Sequence, residues 1–236
     1  MSPRFGHPRV HYRLTDSTNA RARELALAGA PDGTVVTAAE QTAGRGRQGR
    51  TWTAPAGRAL LMSAVVRDLS KRDALLPLAV PVAVAEACHP FSDGAVGIKW
   101  PNDIWVGERK LAGILLEGRP QEGWAVIGVG LNVGTTAGEF PEELRDVATS
   151  LAIESGDDPG VKPVLEAILA ALDRRLADPP RSILDAWRDR DVLAGKTVRW
   201  NGGEGTAAGL DDSGALLVDT GDERVALDAG EVHLLR

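Results

Sequence analysis

The chain has 236 residues, a formal net charge of −6 and 43% hydrophobic residues, which is ordinary for one large globular domain or one domain with a small appendage. Its single cysteine excludes an internal disulfide framework and is typical of a reducing compartment. No apolar stretch reaches the ~18 residues of a membrane span, and the N-terminus has no apolar signal-peptide core, so we expect a cytoplasmic protein.

The first part of the chain alternates strand and helix patterns. The residues Asp16 to Asn19 have the chemistry of a helix N-cap, and Gly29 is a typical helix stop. In order, the patterns predict a strand over 10–14, a helix over 20–28, strands over 34–39 and 58–66, a helix over 74–87, and strands over 96–99, 103–106, 110–117 and 124–133. The last of these strands is apolar on both faces, which predicts a central position in a sheet.

The second part of the chain is first helical and then strand-rich. The pattern is helical from 148 to 189, with 161–176 the clearest amphipathic stretch. Short strands follow over 197–200, 204–210, 215–219 and 224–227, separated by strong turn sequences. We therefore expect an α/β (α+β) domain over residues 1–192 and a small all-β barrel domain over residues 193–236.

The stretch between Glu40 and Asp68 reverses the charge of this acidic chain, because it holds five arginines and no acidic residue. Three of these arginines belong to the run Gly44-Arg45-Gly46-Arg47-Gln48-Gly49-Arg50, which we call the arginine–glycine loop. Glycines let the backbone lie close to a ligand, and guanidinium groups bind phosphate and carboxylate. The loop therefore predicts a site that brings two anions together.

Two phosphate-binding motifs occur here in imperfect form, and we reject both. The loop contains a G-x-G-x-x-G string, but the following residues, from Thr51 to Pro55, are a poor start for the helix of a dinucleotide site. Gly195-Lys196-Thr197 resembles the end of a P-loop, but Arg190 stands where the first glycine is required, so we expect only the first turn of the small barrel. An RGG-type nucleic-acid segment is also disfavoured, because the loop lies between two predicted strands.

Two further clusters have the chemistry of a ligand site. Lys99-Trp100-Pro101-Asn102-Asp103 ends one strand, and Lys110 lies on the second strand of the hairpin that follows. These groups suit a carboxylate, a phosphate and a magnesium ion, although a plain β-turn with a salt bridge has the same sequence. The run Gly128-Val129-Gly130-Leu131-Asn132 permits close approach of a ligand at the end of an apolar strand.

Taken together, the strings DSTN, EQTAGRGRQGRTW, KWPNDIW, RKLAGILLE and GVGLNV resemble those of biotin protein ligases in the same order and spacing. The resemblance extends from about Tyr12 to the end of the chain. It implies a mixed β-sheet flanked by helices, related to lipoate ligases, and a small C-terminal SH3-like β-barrel.

Bifunctional members of this family carry an N-terminal winged helix-turn-helix domain that binds DNA. Because about a dozen residues precede the DSTN string, and because the chain is acidic, we do not expect DNA repression.

The resemblance also implies a reaction and the residues that perform it. Biotin and ATP would form biotinyl-5'-AMP, and a lysine of a biotin carboxyl carrier protein would then accept the biotin. The implied catalytic residues are Arg47, Lys99 and Lys110. The implied biotin-binding residues are Ser17, Thr18, Asn19, Gln41, Arg45, Gly46, Arg47 and Lys110. The implied ATP-binding residues are Arg50, Trp52, Asn102, Asp103 and Asn132, and Asp103 is the expected Mg²⁺ ligand. We expect the arginine–glycine loop to become ordered over the adenylate.

Several alternatives stay open at this point. A lipoate or octanoate ligase would have the same fold, a biotin-responsive co-repressor would bind an operator, and a non-catalytic module would bind biotin or a nucleotide without releasing pyrophosphate. The sequence does not choose between a monomer and a homodimer, and it leaves open the identity of the carrier, the order of substrate binding and the role of the barrel.

Overall fold

The structure of the protein is a computed structural model, which describes residues 4–69 and 76–235. The strands are β1 (Arg9–Tyr12), β2 (Val35–Ala38), β3 (Ala59–Arg67), β4 (Val96–Lys99), β5 (Asp103–Val106), β6 (Arg109–Arg119), β7 (Trp124–Asn132), β8 (Thr197–Trp200), β9 (Gly203–Leu210), β10 (Leu216–Asp219), β11 (Arg224–Leu227) and β12 (His233–Leu234). The helices are α1 (Thr18–Leu27), α2 (Leu76–Cys88), α3 (Leu151–Ser155), α4 (Val161–Arg175) and α5 (Pro180–Arg188).

A mixed sheet of seven strands forms the centre of the larger unit. Its order is β1-β2-β3-β7-β6-β5-β4, in which β1 and β2 are parallel and the remaining neighbours are antiparallel. The predicted central position of β7 is confirmed, because three strands lie on either side of it. The predicted mixed sheet with flanking helices is also confirmed.

Helices cover the two faces of this sheet unequally. Helix α1 packs against β2, β3 and β7 over a small cluster that includes Ala22, Ala26 and Trp124. Helices α2 and α4 pack against each other and belong to the larger cluster on the other face. Burial of α2 on nearly all sides explains its almost wholly apolar sequence. The first two residues of the helix predicted over 74–87 lie outside the described residues.

Cys88, at the end of α2, is fully buried, as its apolar surroundings in the sequence predicted. Burial raises the pKa of its thiol far above the usual range, since an apolar environment disfavours the thiolate. The thiolate is the nucleophilic form, so this cysteine is a small core residue and not a reactive group.

The C-terminal residues form a second, antiparallel sheet in the order β11-β10-β9-β8-β12. This sheet confirms the small SH3-like domain, although the two-residue strand β12 was not predicted. Its buried side chains belong to the same apolar cluster as α2, and Trp100 Nε1 donates to the Gly214 carbonyl at 3.2 Å. The turn at Gly195 and Lys196 leads into β8 as expected. The division of the chain at residues 192 and 193 stays a prediction.

The start of α1 differs in one respect from the predicted N-cap. Ser17 is the N-cap residue, but its side chain makes no cap hydrogen bond. The first backbone amide of the helix, that of Thr18, donates instead to Gln41 Oε1 at 2.7 Å. A residue after β2 therefore caps this helix, and no local sequence signal shows it.

None of the helices within the described residues is both long and apolar enough to cross a membrane.

Candidate active site

A small pocket lies between the N-terminus of α1 and the centre of the sheet. We call it the polar pocket; its lining includes Ser17, Thr18, Asn19, Gln41, Arg45 and Trp52, together with glycines of β6 and β7. Ser17, Thr18 and Asn19 are only 2–4% exposed. Gly128 makes this arrangement possible, because a Cβ at that position would lie 2.1 Å from Asn19 Oδ1. The structure therefore brings together the predicted biotin-binding residues of the DSTN and EQT strings.

Hydrogen bonds connect the polar side chains of this pocket. Gln41 Oε1 accepts from both the amide of Thr18, at 2.7 Å, and its hydroxyl, at 3.1 Å. The Ser63 hydroxyl lies 2.8 Å from Thr18 Oγ1 and 2.5 Å from Asn19 Oδ1. Asn19 Nδ2 donates to Glu117 Oε2 at 2.8 Å. Buried polar groups held in this way keep fixed orientations, which suits recognition of a polar ring.

The arginine–glycine loop is a compact turn without a following α-helix. Residues Arg47–Gly49 form one 3-10 turn, in which Gln48 has the left-handed φ of 55°. The Gly46 amide donates to the Arg50 carbonyl at 2.7 Å, so it closes the turn within the loop. Residues 50–58 contain no helix, which confirms that the glycine string is not a dinucleotide-binding turn.

Two arginines of this loop contact the segment that precedes β12. Arg47 donates to Asn102 Oδ1 at 3.0 Å and to the Gly230 carbonyl at 3.2 Å. Arg50 forms an ion pair with Glu231. The loop is therefore held between the turn before β5 and the segment before β12.

A cavity rich in positive charge lies beside the loop. We call it the cationic cavity; its lining includes Arg47, Arg50, Lys99, Asn102, Asp103 and Lys110. Lys110 Nζ pairs with Asp103 Oδ1 at 2.8 Å, so the hairpin brings these two predicted residues together. Lys99 Nζ lies 5.1 Å from the centre of the Trp105 ring. Burial lowers the pKa of Lys99 although Asp103 opposes the shift, since a desolvated ammonium is disfavoured.

Trp52 borders both the polar pocket and the cationic cavity. Its indole lies on the sheet where Gly113 of β6 and Gly130 of β7 face each other. A Cβ at Gly130 would approach the indole to 2.5 Å, so glycine is required there. Lys110 Nζ is 5.8 Å from the Trp52 ring. The Trp52 Nε1 is buried and has no hydrogen-bond partner within residues 4–69 and 76–235.

A larger apolar cavity begins at the same tryptophan. Its walls include Pro55, Phe140, Leu144, Val147 and Ala148, with Asn132 and Lys110 among its polar members. Asn132 Nδ2 donates to the Thr149 carbonyl at 2.9 Å. Asn132 therefore borders the apolar cavity, whereas Asn102 and Asp103, with which we grouped it from the sequence, line the cationic cavity.

Not every arginine of the acid-free stretch belongs to the site. Arg58 pairs with Glu139 and Asp158, at 3.3 Å and 3.7 Å. The side chain of Arg67 donates to the carbonyls of Ala26 and Ala30 at the end of α1. These two arginines stabilise connections, and only those of the arginine–glycine loop face the cavities.

Several residues of the site were missed from the sequence: Ser63, Glu117, Phe140, Leu144, Val147, Ala148 and Glu231. Glu117 ends the string RKLAGILLE, so its position was visible although its role was not. No local signal marks the other polar residues. Ser63 lies within an apolar strand, and Glu231 is more than a hundred residues away from the loop that it contacts.

A buried polar pocket beside a cavity of lysines and arginines can hold a small polar ligand next to anionic groups. Residues 11–133 match the Biotin/lipoate A/B protein ligase family, and residues 194–235 match the Biotin protein ligase C terminal domain. The chain belongs to the biotin/lipoate protein ligase family.

The relatives with known names agree with this family. The biotin--[acetyl-CoA-carboxylase] ligase of Mycobacterium tuberculosis is 37% identical over 94% of this chain and 87% of its own length. The bifunctional ligase/repressor BirA of Bacillus subtilis is 34% identical over 98% of this chain and 75% of its own length. Among solved structures, the biotin protein ligase of Aquifex aeolicus in complex with biotin and ATP has a TM-score of 0.85 and 29% identity, covering 97% of this chain and 98% of that one.

Proposed function

We propose that this chain is a biotin protein ligase, which activates biotin with ATP to biotinyl-5'-AMP and transfers the biotin to a lysine of a biotin carboxyl carrier protein. The observation that carries the proposal is the buried polar pocket of Ser17, Thr18, Asn19 and Gln41, which meets the cationic cavity at Arg45 and Trp52. The hydroxyl and amide groups of the polar pocket suit the ureido ring of biotin. The positive charges of the cationic cavity suit the two reacting anions, which are the biotin carboxylate and the phosphates of ATP. The names of the relatives support the same activity.

The polar pocket supplies partners for the ureido ring of biotin. That ring has two N–H donors and one carbonyl acceptor, and the pocket offers hydroxyl and amide groups of both kinds. A site built to hydrogen-bond such groups rejects an analogue that lacks them, because its own buried polar atoms would be left unpaired. This feature favours biotin over lipoate or octanoate.

The nucleotide fits the two other cavities. The apolar cavity beside Asn132 suits the flat adenine base, and the cationic cavity suits the phosphates. Trp52 borders both, so it is positioned to contact the adenylate. In this arrangement Arg50 and Lys99 neutralise the phosphates, and Arg47 and Lys110 lie nearest to the biotin carboxylate.

In the first step an oxygen of the biotin carboxylate attacks the α-phosphorus of ATP. The bond from that phosphorus to the β-phosphate oxygen breaks, and pyrophosphate leaves with the electron pair. The carboxylate is already ionised at neutral pH, so no general base is needed. Charge grows on the phosphoryl oxygens, and fixed cations such as Arg47 and Lys99 lower the barrier, each by about 3 kcal/mol when well aligned.

In the second step the neutral amine of the carrier lysine attacks the carbonyl carbon of the mixed anhydride. The carbon–oxygen bond to the phosphate breaks, AMP leaves, and the amine loses its proton. Water competes with this lysine, so exclusion of water by the arginine–glycine loop would protect the intermediate.

Magnesium would accompany ATP in this reaction. Within residues 4–69 and 76–235 no three histidine, cysteine or acidic side chains are grouped to hold a metal ion. An ion carried on ATP needs only one or two carboxylates besides the phosphates, and Asp103 offers one, although its Oδ1 pairs with Lys110. The residues therefore fit an ion held mainly by the nucleotide. When bound, this ion would neutralise phosphate charge.

We assign the protein to the cytoplasm, where ATP and a carboxylase carrier are available.

The decisive experiment is exchange of labelled pyrophosphate into ATP, with biotin, lipoate and octanoate in parallel. We expect exchange with biotin alone, followed by labelling of a biotin carboxyl carrier domain. Exchange with lipoate instead would keep the chemistry and change the substrate. Absence of exchange with every acid, from folded protein with Mg²⁺ present, would leave a binding module without catalysis.

A further inference from the structure

Two residues outside the lining of the polar pocket hold the side-chain amide of Asn19 from its two ends. Glu117 Oε2 accepts from Asn19 Nδ2 at 2.8 Å, and the Ser63 hydroxyl lies 2.5 Å from Asn19 Oδ1. Ser63 is fully buried in β3, and Glu117 lies near the end of β6. We propose that Glu117 and Ser63 are positioning residues, which fix the amide of Asn19 for biotin binding. This inference rests on the proposed function.

The chemistry of the two partners decides which way the amide faces. The two ends of an asparagine amide have nearly the same shape but opposite hydrogen-bonding character, and a carboxylate can only accept a hydrogen bond. Glu117 therefore requires the Nδ2 of Asn19 on its side, and Oδ1 then faces Ser63. A serine hydroxyl can donate or accept, so it adapts to this orientation and gives its single proton to Oδ1, at 2.5 Å, which is nearer than Thr18 Oγ1 at 2.8 Å.

The backbone next to Asn19 leaves the amide little freedom. Gly128 of β7 lies directly opposite Ser63 in the sheet, and the amide rests on this glycine. The Asn19 side chain is also almost completely buried. A side chain confined in this way cannot relieve a lost hydrogen bond by moving into water, so its partners determine what it presents to a ligand.

This orientation matters because Asn19 is part of the lining that would meet the ureido ring. A reversed amide would offer a donor where an acceptor is needed, and an acceptor where a donor is needed. Loss of one buried hydrogen bond to a charged group weakens binding by about 10-fold to 100-fold. Neither Glu117 nor Ser63 touches the ligand in this account, because both act through Asn19.

A purely electrostatic role for Glu117 is the alternative to be tested. Arg23 Nη1 lies 3.5 Å and Arg45 Nη1 lies 3.9 Å from Glu117 Oε1. If Glu117 acts through its charge, by holding Arg45, every neutral replacement would weaken biotin binding to the same extent. If Glu117 acts by accepting the hydrogen bond from Asn19 Nδ2, a replacement that keeps an acceptor oxygen would keep the affinity for biotin.

Three variants of the full chain separate these roles: Glu117→Leu removes the acceptor, Glu117→Gln keeps it without the charge, and Arg23→Gln removes an ion pair alone. We expect the Kd for biotin, measured by titration calorimetry, to rise about 10-fold to 100-fold in Glu117→Leu. The same variant should raise the KM for biotin in pyrophosphate exchange and leave the KM for ATP unchanged, while the melting temperature falls by no more than about 10 °C because Asn19 Nδ2 loses a buried partner. Glu117→Gln should stay within about threefold of wild type, and Arg23→Gln should bind as wild type does.

Biotin binding by Glu117→Leu at the wild-type Kd would overturn the proposal. Equal weakening in Glu117→Gln and Glu117→Leu would overturn it too, in favour of the charge. A wild-type protein that does not bind biotin would instead refute the proposed function, so the two failures are distinguishable.

Ser63→Ala gives an independent test that does not depend on the folding of the Glu117 variants. It removes one hydroxyl from a small residue, and we expect the Kd for biotin to rise about tenfold. Combined with Glu117→Leu, the increase should be smaller than the product of the two single effects, because both act through Asn19. An unchanged Kd in Ser63→Ala, or independent effects in the double variant, would contradict a shared role.

Discussion

The polar pocket and the arginine–glycine loop are built in opposite ways, although Arg45 belongs to both. Ser17, Thr18 and Asn19 are 2–4% exposed, and Thr18 and Asn19 are hydrogen-bonded to Ser63 in the sheet behind them. In the loop, the side chains of Arg45 and Arg50 are 51% and 53% exposed. The pocket is thus fixed by buried partners, whereas the loop is held by a few contacts at the surface.

This difference matches the two tasks of the proposed enzyme. Recognition of a small polar ring gains from groups that are already in position, because no further ordering is then needed on binding. Activation of the carboxylate requires cations that close over two anions and later release the products. Burial is therefore concentrated where we propose that specificity arises, and exposed side chains lie where we propose that the chemistry occurs.

The largest expected effect follows from removal of Arg47. In Arg47→Ala we expect biotin-dependent pyrophosphate exchange to fall about 100-fold or more, because a cation facing the phosphates is lost. The melting temperature should stay near wild type, since the polar pocket is intact, whereas the Kd for biotin should rise because Arg47 lies near its carboxylate. Arg119→Ala, at an exposed arginine near the end of β6, is the matched control. A parallel drop in melting temperature would point instead to a structural role for Arg47.

A smaller effect is expected on the accessibility of the loop. Trypsin cleavage after Arg45 or Arg47 should slow by about tenfold when biotin and ATP are added, because a loop ordered over the adenylate opens less often. Cleavage after Arg181, whose side chain is 92% exposed on α5, should not change. Equal rates of loop cleavage with and without ligands would show that the loop does not close.

The third prediction concerns pH. Burial lowers the pKa of Lys99, so this amine loses its charge at a lower pH than an ordinary lysine. Adenylation that needs the charged form should therefore decline as pH rises through the lowered pKa, which is measured as the alkaline limb of kcat/KM for ATP. Lys99→Arg, which stays charged, should remove that limb. An identical alkaline limb in wild type and Lys99→Arg would assign the titration to another group.

The smallest effect is expected for the ion pair between the loop and the C-terminal sheet. Both partners, Arg50 and Glu231, are partly exposed, and such pairs contribute less than about 1 kcal/mol. Glu231→Gln should accelerate trypsin cleavage of the ligand-free loop by no more than about threefold and should leave the Kd for biotin unchanged. A much larger acceleration would mean that the C-terminal sheet holds the loop closed.

Most of the fold was visible in the sequence, because its patterns are local. The strands β4 and β5 have the predicted bounds, and the apolar pattern of β7 correctly indicated the middle of the sheet. β12 was missed because two residues are too short for a pattern. The N-cap position of α1 lies within the predicted run, but the side chain that accepts from its first amide, that of Gln41, was missed because it comes from a distant segment.

The site was predictable where its residues form strings and was missed where they do not. Arg47, Lys99, Asn102, Asp103 and Lys110 line one cavity as their strings implied. Ser63 was invisible since a serine within an apolar strand resembles any other polar interruption. The walls of the apolar cavity come from an irregular segment around Phe140, where no periodicity exists to be read.

The paired glycines beneath Trp52 have a consequence for engineering this protein. Gly113 and Gly130 face each other on central strands, where each glycine costs about 0.5–1 kcal/mol relative to alanine. Strand propensity alone would therefore recommend β-branched replacements at both positions, since such residues suit strand interiors. Those replacements would collide with the indole that lies on this flat surface, so a design rule based on propensity would displace Trp52 from the site.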